Sequence, residues 1–386
     1  MKRTLSRLIK GWKGKLLFSL ILVALLADLL SNEKPLIAAC EGGIFFPALG
    51  IGQKNCRVIL PALIPYSPDN MDLENARSVG PFSSQVVPSL HYRHWLGTDE
   101  LGRDVLSGLI HGTRSALVIG FLSMLLAGCI GIIMGSLAGY FGDHRLELTR
   151  ASWILLFLFV VPALFYSSVI PGFILENLGV SEGIRIFLYM LFWLLTMALQ
   201  LWIAFFIAGK VAIIEWARRK WKVPVDLIVM RIIEVVGSVP VLFLVLGVAA
   251  LAKPSSGLVI LLVGFTFWIT IAKYTRAEML KIRTLPYIEG ASALGLPWWK
   301  ILWNHALPNA MPPVRVALAF GVGQAILVES TLSFLGVGLP QGEVTWGALL
   351  ASARSTPSAW WLALFPGLAI FITILLFHRI GDELEK

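Results

Sequence analysis

Apolar runs close to the length of a bilayer crossing recur eight times in this chain, at about 13–31, 113–138, 152–174, 185–214, 228–251, 256–273, 314–336 and 360–378. The hydrocarbon core of a bilayer takes about 20 residues of helix to cross. It holds no water to satisfy bare backbone groups, so a spanning segment must be a helix or part of a closed barrel. The runs are continuous and lack the alternation of barrel strands, which leaves helices. Composition agrees: 57% of residues are hydrophobic and 14% charged, against about 25% charged in a soluble domain, and mean hydropathy is +0.79. The expected class is an all-α integral membrane bundle of about eight helices. The first run carries Asp28, so its ends are the least defined.

Basic residues orient the bundle. With the N-terminus in the cytoplasm, the inside segments carry twenty Lys and Arg and the outside segments ten, seven of these in one long loop. Both termini are therefore expected inside. The net charge of +9 is accounted for by this bias, and nucleic acid is not expected as a partner. Residues 1–31 join a basic stretch to an apolar one without a clear small-residue cleavage site, which reads as a retained signal-anchor helix. Cys40 and Cys56 both fall in the exported loop, where a disulfide is possible, while Cys129 lies in a span. The six His residues are scattered; His91 and His94 are three apart but have no ligand set around them, so no metal site is expected.

Two segments outside the spans carry information. Residues 274–313 form a charged, amphipathic stretch between long apolar runs, with Glu289-Gly290-Ala291 followed by Gly295 and later Leu307-Pro308. The spacing predicts a short helix, a glycine break and a second short helix, forming a protrusion able to dock. Residues 32–112 are rich in Pro, Gly and Ser up to Pro88, which predicts irregular structure with short strands. The segment ends in HWLGTDELGRDV. Leu101, Val105, Leu106, Leu109 and Ile110 fall at helical spacing, and Thr98-Asp99 offers an N-cap, so an interfacial helix is expected there. Gly97, Thr98, Asp99, Glu100, Gly102, Arg103 and Asp104 make up its motif.

Four blocks in order, HWLGTDELGRDV, the E-G-A-x-x-x-G…H-A-L-P-N loop, ESTLSFLGVGLP and WWLALFPGLAI, resemble the second permease of the pair in ABC importers for dipeptides, oligopeptides, nickel and microcin C-like peptides. The resemblance covers about 90–145 and 224–386. It implies a core of six helices in the bacterial inner membrane, with substrate delivered by an external binding protein and a second homologous permease completing the path. It also implies two ATP-binding subunits that use ATP and Mg. No G-x-x-x-x-G-K-[ST] occurs here, so the chain holds no phosphate-cradling loop and no cofactor of its own. Residues 285–297 would be the coupling helix, with Glu289 contacting the ATPase or capping the turn, Gly295 reversing the chain, and Leu307-Pro308 marking the return to the membrane.

The chain departs from that pattern in two places. Gly290 stands where the family has alanine, at a cost of about 1 kcal/mol of helix propensity. About 80 residues, 146–223, replace a short link and carry two apolar runs, read as an inserted helix pair packing on lipid or a partner. The expected organisation is an anchor over 1–31, an exported loop over 32–112, a first core helix within 113–145, the inserted pair over 146–223, and the remaining core over 224–386.

Polar groups in spans are costly in lipid and point to function. Gln324, Glu329, Ser330, Thr331 and Ser333 cluster after the coupling loop and are expected to face the translocation path or the partner permease. Gly321, Gly323, Gly336 and Gly338 are expected at helix contacts, Pro240 at a kink, and Arg231 paired with Glu234. The alternatives are a secondary transporter built around Glu329, for which no repeat is evident, and a membrane-embedded enzyme, for which no clustered catalytic groups are evident.

Overall fold

The computed structural model describes residues 11–40, 43–45, 47, 57–175, 182–211, 219–241, 243, 244, 247, 254–337, 339, 340 and 342–385. The elements in chain order are α1 (Trp12–Leu25), α2 (Ala27–Leu30), β1 (Ile37–Cys40), β2 (Gly43–Phe45), β3 (Arg57–Leu60), α3 (Val105–Phe141), β4 (Glu147–Thr149), α4 (Arg150–Leu175), α5 (Glu182–Val211), β5 (Lys220–Lys222) and α6 (Val225–Gly237). They continue with α7 (Ser256–Ile282), α8 (Pro286–Ala293), α9 (Trp298–Lys300), α10 (Leu307–Phe334), α11 (Trp346–Ser355) and α12 (Trp360–Glu385). The chain divides into two compact units, residues 1–140 with 231–386, and residues 141–230.

Among the described residues, five segments are long and apolar enough to cross a membrane: Val105–Phe141, Leu191–Ala208, Ser256–Ile282, Trp298–Phe334 and Trp360–Glu385. The first run of the sequence forms the 14-residue α1 and the short α2. The third forms the 26-residue α4. Much of the fifth, beyond α6, lies outside the described residues.

The larger unit is built on glycine-mediated contact between α3 and α7. A Cβ added at Gly131 would sit 2.7 Å from both the Ile271 Cβ and the Trp268 carbonyl oxygen. Gly135 and Gly139 repeat this against Ala272, Thr275, Arg276 and Met279. Three glycines at i, i+4, i+8 lie on one helix face, and without side chains there the two backbones approach closely. The small-residue contact expected at Gly336 is corrected here. Gly336 ends α10 in a left-handed turn (φ 77°) with nothing within 4 Å of an added Cβ, and Gly338 lies outside the described residues. Gly321 does meet α3, at Met124. Further along, α10 packs against α7, α11 and α12, and Trp346 is buried with its indole N–H donating to the Leu109 carbonyl at 3.0 Å. At the other end α12 holds α1 through Leu376 and Ile380 against Leu16, Leu17 and Leu20, and Lys13 pairs with Glu383 at 2.8 Å.

The segment before α3 has the expected short strands, an antiparallel sheet of order β2-β1-β3. Cys40 ends β1, and Cys56 lies outside the described residues. The helix expected from about Leu101 starts four residues later and takes in Val105, Leu106, Leu109 and Ile110 but not Leu101. Residues 97–104 are a loop, and α3 starts at Val105 and runs 37 residues without a break. Asp104, not Thr98-Asp99, is the cap: its Oδ2 accepts from the Ser107 N–H at 2.7 Å and its carbonyl from the Gly108 N–H at 3.0 Å. The apolar spacing was misleading at Leu101 because Gly102 adopts φ 83°, which an α-helix cannot contain.

The smaller unit pairs α4 with α5 along their lengths. The antiparallel strands β4 and β5 place Glu147 opposite Lys222, Leu148 opposite Trp221 and Thr149 opposite Lys220.

Candidate functional site

Residues 283–313 hold the expected short helix and glycine break, but the expected second short helix is instead the start of a long rod. Pro286 opens α8 at the position where a missing N–H costs nothing, and Ile288, 1% exposed, anchors it. The helix closes with the Leu296 N–H on the Ala291 carbonyl (3.2 Å) and the Gly295 N–H on the Ser292 carbonyl (3.0 Å). This is a Schellman motif, which requires a left-handed residue, and Gly295 supplies it at φ 77°. Everything outward of Ile288 is uncovered: Glu289 and Gly290 are exposed, Leu294 is 84% exposed, and Trp298, Trp299 and Trp303 are about half exposed. An apolar tip of this kind, raised on a rigid turn, is built to be covered by another surface.

The chain turns back earlier than Leu307-Pro308. The helical rod begins at Trp298 and continues to Phe334, with a π-helical stretch from Ile301 to Ala306. Pro308 has no N–H for the Asn304 carbonyl, and widening the preceding turn accommodates that loss. Ile301, Leu302, Ala306 and Leu307 are buried, so Leu307 anchors the rod inward while Pro308 faces out.

The family described as binding-protein-dependent transport system inner membrane component matches residues 211–386. The probable D,D-dipeptide transport system permease protein of Escherichia coli (strain K12) is 26% identical over 332 residues, covering 85% of this chain and 80% of the relative. The glutathione transport system permease protein of Pectobacterium atrosepticum is 28% identical, covering 84% and 78%. These matches support reading the chain as a peptide-type ABC-importer permease. A third relative, the inner membrane ABC transporter permease protein YejE of Escherichia coli (strain K12), is 26% identical over 392 residues and covers 97% of this permease, so that alignment runs through 146–223. The matches are to multi-pass inner-membrane transport subunits rather than to enzymes or secondary transporters, and the matched family implies ATPase and substrate-binding partners.

The polar cluster on α10 of the permease does not act as one face. Glu329 is fully buried, accepting from the Ser333 hydroxyl at 2.7 Å and the Ser330 hydroxyl at 3.2 Å. Ser330 and Ser333 pack against Gly347 of α11. Gln324 lies on the exposed side, and Thr331 donates to the Leu327 carbonyl of its own helix at 2.8 Å. The reason is angular: positions 329, 330 and 333 share one flank of a helix, while 324 and 331, seven residues apart, share the opposite one. Ser333 borders a cavity of about 330 Å³ that also takes in Arg103, Glu343 and Ser352, where burial pushes the Glu343 carboxyl up. Arg231 and Glu234 do pair, at 2.6 Å, but both are exposed, and such a pair contributes little.

The G-T-D-E-L-G-R-D motif is a self-bonded cap over the start of α3. Asp99 Oδ1 accepts from the Leu101 and Arg103 N–H groups, both at 2.9 Å, and its Oδ2 from Arg103 Nε at 2.7 Å. Thr98 ties the loop to Asn75 and Val79, and the Thr98 carbonyl accepts from the Trp361 indole at 3.1 Å. A side chain at Gly102 would overlap the Asp72 backbone, and Glu100 stays exposed.

His94, weighed from sequence only as one of a possible metal pair, is the centre of this assembly. It is fully buried, with Nδ1 2.9 Å from Asp104 Oδ1, Nε2 3.2 Å from Asp72 Oδ2, and its ring stacked 4.2 Å from Tyr66. Two carboxylates on opposite ring nitrogens demand two donors, which only imidazolium has. Burial works against the charged ring, but Asp104 and then Asp72 outweigh it and raise the His94 pKa. Asp72 in turn is lowered: burial opposes its charge, and hydrogen bonds from Asn75, His94 and local backbone N–H groups overcome that. Among the described residues no group of three or more His, Cys, Asp or Glu is placed to hold a metal ion. The sequence signal available was an acidic motif three residues beyond a histidine, but Asp72 is 22 residues away and only the fold brings it in.

Proposed function

We propose that this permease forms half of the translocation path for peptides or related small solutes, and that α8 and the turn at Gly295 transmit the motion of a separate ATPase. The exposed apolar tip at Leu294, standing on a turn fixed by Gly295, is the observation that carries this reading. Glu289, Gly290 and Ala291 form the flank of that helix and Gly295 its hinge, while Leu307 and Pro308 belong to the rod that carries motion inward. A second homologous permease completes the path, two ATP-binding subunits bind ATP and Mg, and an external binding protein delivers substrate. Both termini and the coupling loop lie in the cytoplasm by the charge bias of the loops. The peptide class follows from the relatives' substrates, D,D-dipeptides and glutathione among them. Import proceeds by alternating access.

The test is the ATPase activity of the complex purified through this chain, comparing wild type with Glu289→Lys, Leu294→Asp and Gly295→Asp. None of these removes a buried contact. Gly295→Asp adds left-handed strain of about 1–2 kcal/mol, and the Glu289 reversal costs about 0.3–1 kcal/mol at a helix N-terminus. Each is expected to leave the chain folded while weakening ATPase docking by about 2 kcal/mol or more, roughly 30-fold. If all three variants retain a co-purifying ATPase and normal substrate-stimulated turnover, this loop is not where power is transferred.

A further inference from the structure

The coupling reading leaves the 141–230 unit without a task. Its helices α4 and α5 have 26 and 30 residues, about 39 and 45 Å at 1.5 Å per residue, enough to cross about 30 Å of hydrocarbon. Their outer flanks are apolar and uncovered: Leu158 and Phe165 on α4, and Leu195, Leu199 and Trp202 on α5, are each more than half exposed. The strands β4 and β5 sit where this apolar surface stops, since β4 runs directly into Arg150, the first residue of α4.

This ribbon has the makeup of a headgroup contact. Lys220, Trp221 and Lys222 are all exposed. Strand alternation puts both lysines on one face and Trp221 on the other, where the Arg150 guanidinium lies 5.0 Å from the ring centroid. Arg145 and Arg219 are exposed beside them. The carboxylates of the region are engaged or peripheral. Glu147 lies 3.6 Å from Lys220, Asp143 accepts from the Leu227 N–H at 3.0 Å, and Asp226 lies in the first turn of α6. A tryptophan flanked by cations at the end of a lipid-facing helix pair matches the interfacial level of a bilayer. There the indole sits among glycerol and carbonyl groups and cations reach the phosphates.

We propose that the antiparallel β4–β5 ribbon binds the phosphodiester headgroups of anionic phospholipids, and so fixes the depth and rotation of α4 and α5 in the bilayer. The proposal needs only that the pair spans the membrane and is independent of the coupling loop.

The test reconstitutes the complex purified through this chain in nanodiscs of phosphatidylcholine alone and of phosphatidylcholine with phosphatidylglycerol. Phosphatidylglycerol retention is read by native mass spectrometry, and the melting temperature is followed. Wild type and the charge-keeping Lys220→Arg/Lys222→Arg are expected to retain phosphatidylglycerol and melt higher in its presence. Lys220→Gln/Lys222→Gln is expected to bind it roughly 25-fold less tightly, about 1 kcal/mol per cation, with assembly and helical content unchanged. Trp221→Ala is expected to lose retention as well. Equal retention by wild type and the glutamine pair, loss in the arginine pair, or indifference of the wild type to phosphatidylglycerol would each overturn the proposal.

Discussion

Replacing His94 with alanine lowers the stability of the assembled permease by about 3–5 kcal/mol, the cost of stranding one partner of a buried ion pair. The stranded group is Asp104, whose side chain is 2% exposed. Because Asp104 also caps α3 through Ser107, the damage reaches the start of a 37-residue helix. The measurement is thermal unfolding of the purified complex, and an unchanged melting temperature would remove His94 from any structural role. The same substitution has a pH signature. His94 is raised above its ordinary value, near 6.5, so its contribution is complete below that pH and is lost as pH climbs through the raised value. Asp72 is lowered, so its contribution holds above about 3.9 and is lost as pH falls through the lowered value. Wild type is therefore expected to be steadiest in the mildly acidic range between and to weaken toward alkaline pH. The His94→Ala variant should lack that alkaline decline.

Gly135→Leu is expected to prevent α3 and α7 from closing and to abolish recovery of the assembled complex. A methyl at Gly135 would already collide with the Ala272 carbonyl and the Thr275 Cβ. Backbone on the facing helix cannot swing aside as a side chain can, so the cost should reach or exceed the top of the usual 1–3 kcal/mol for overpacking. Gly257→Leu is the control. It lies in α7 itself, is exposed, and has nothing within 4 Å of an added Cβ, so normal recovery is expected. Equal recovery of both variants would show that the glycine face is not what sets the α3–α7 distance.

The coupling loop was legible because its signals are local. Pro286 at a helix start and Gly295 at a helix end act through their own backbones, so spacing alone predicted helix, break and helix. The α3–α7 contact was legible too, in the i, i+4, i+8 spacing of Gly131, Gly135 and Gly139, but the expectation fell on other glycines, of which Gly321 and Gly323 do meet a neighbouring helix and Gly336 does not. A glycine that ends a helix and one that admits a neighbour look alike until the neighbour is known. The spacing failed at Leu101 for a related reason: the apolar period continued across Gly102, whose left-handed backbone is fixed by its contact with Asp72.

By itself the sequence determined that this chain lives in a membrane, that its spans are helices, and that one loop between them holds a short helix ended by a glycine. These follow from hydropathy and from backbone rules that act over a few residues. The tertiary structure alone decided which polar groups matter. It buried Glu329, Ser330 and Ser333 while leaving Gln324 exposed, and it carried Asp72 across 22 residues of loop to His94. The pairing of buried charges is set by which distant segments pack together, because a carboxylate can stay ionised in the interior only where the fold delivers its partner.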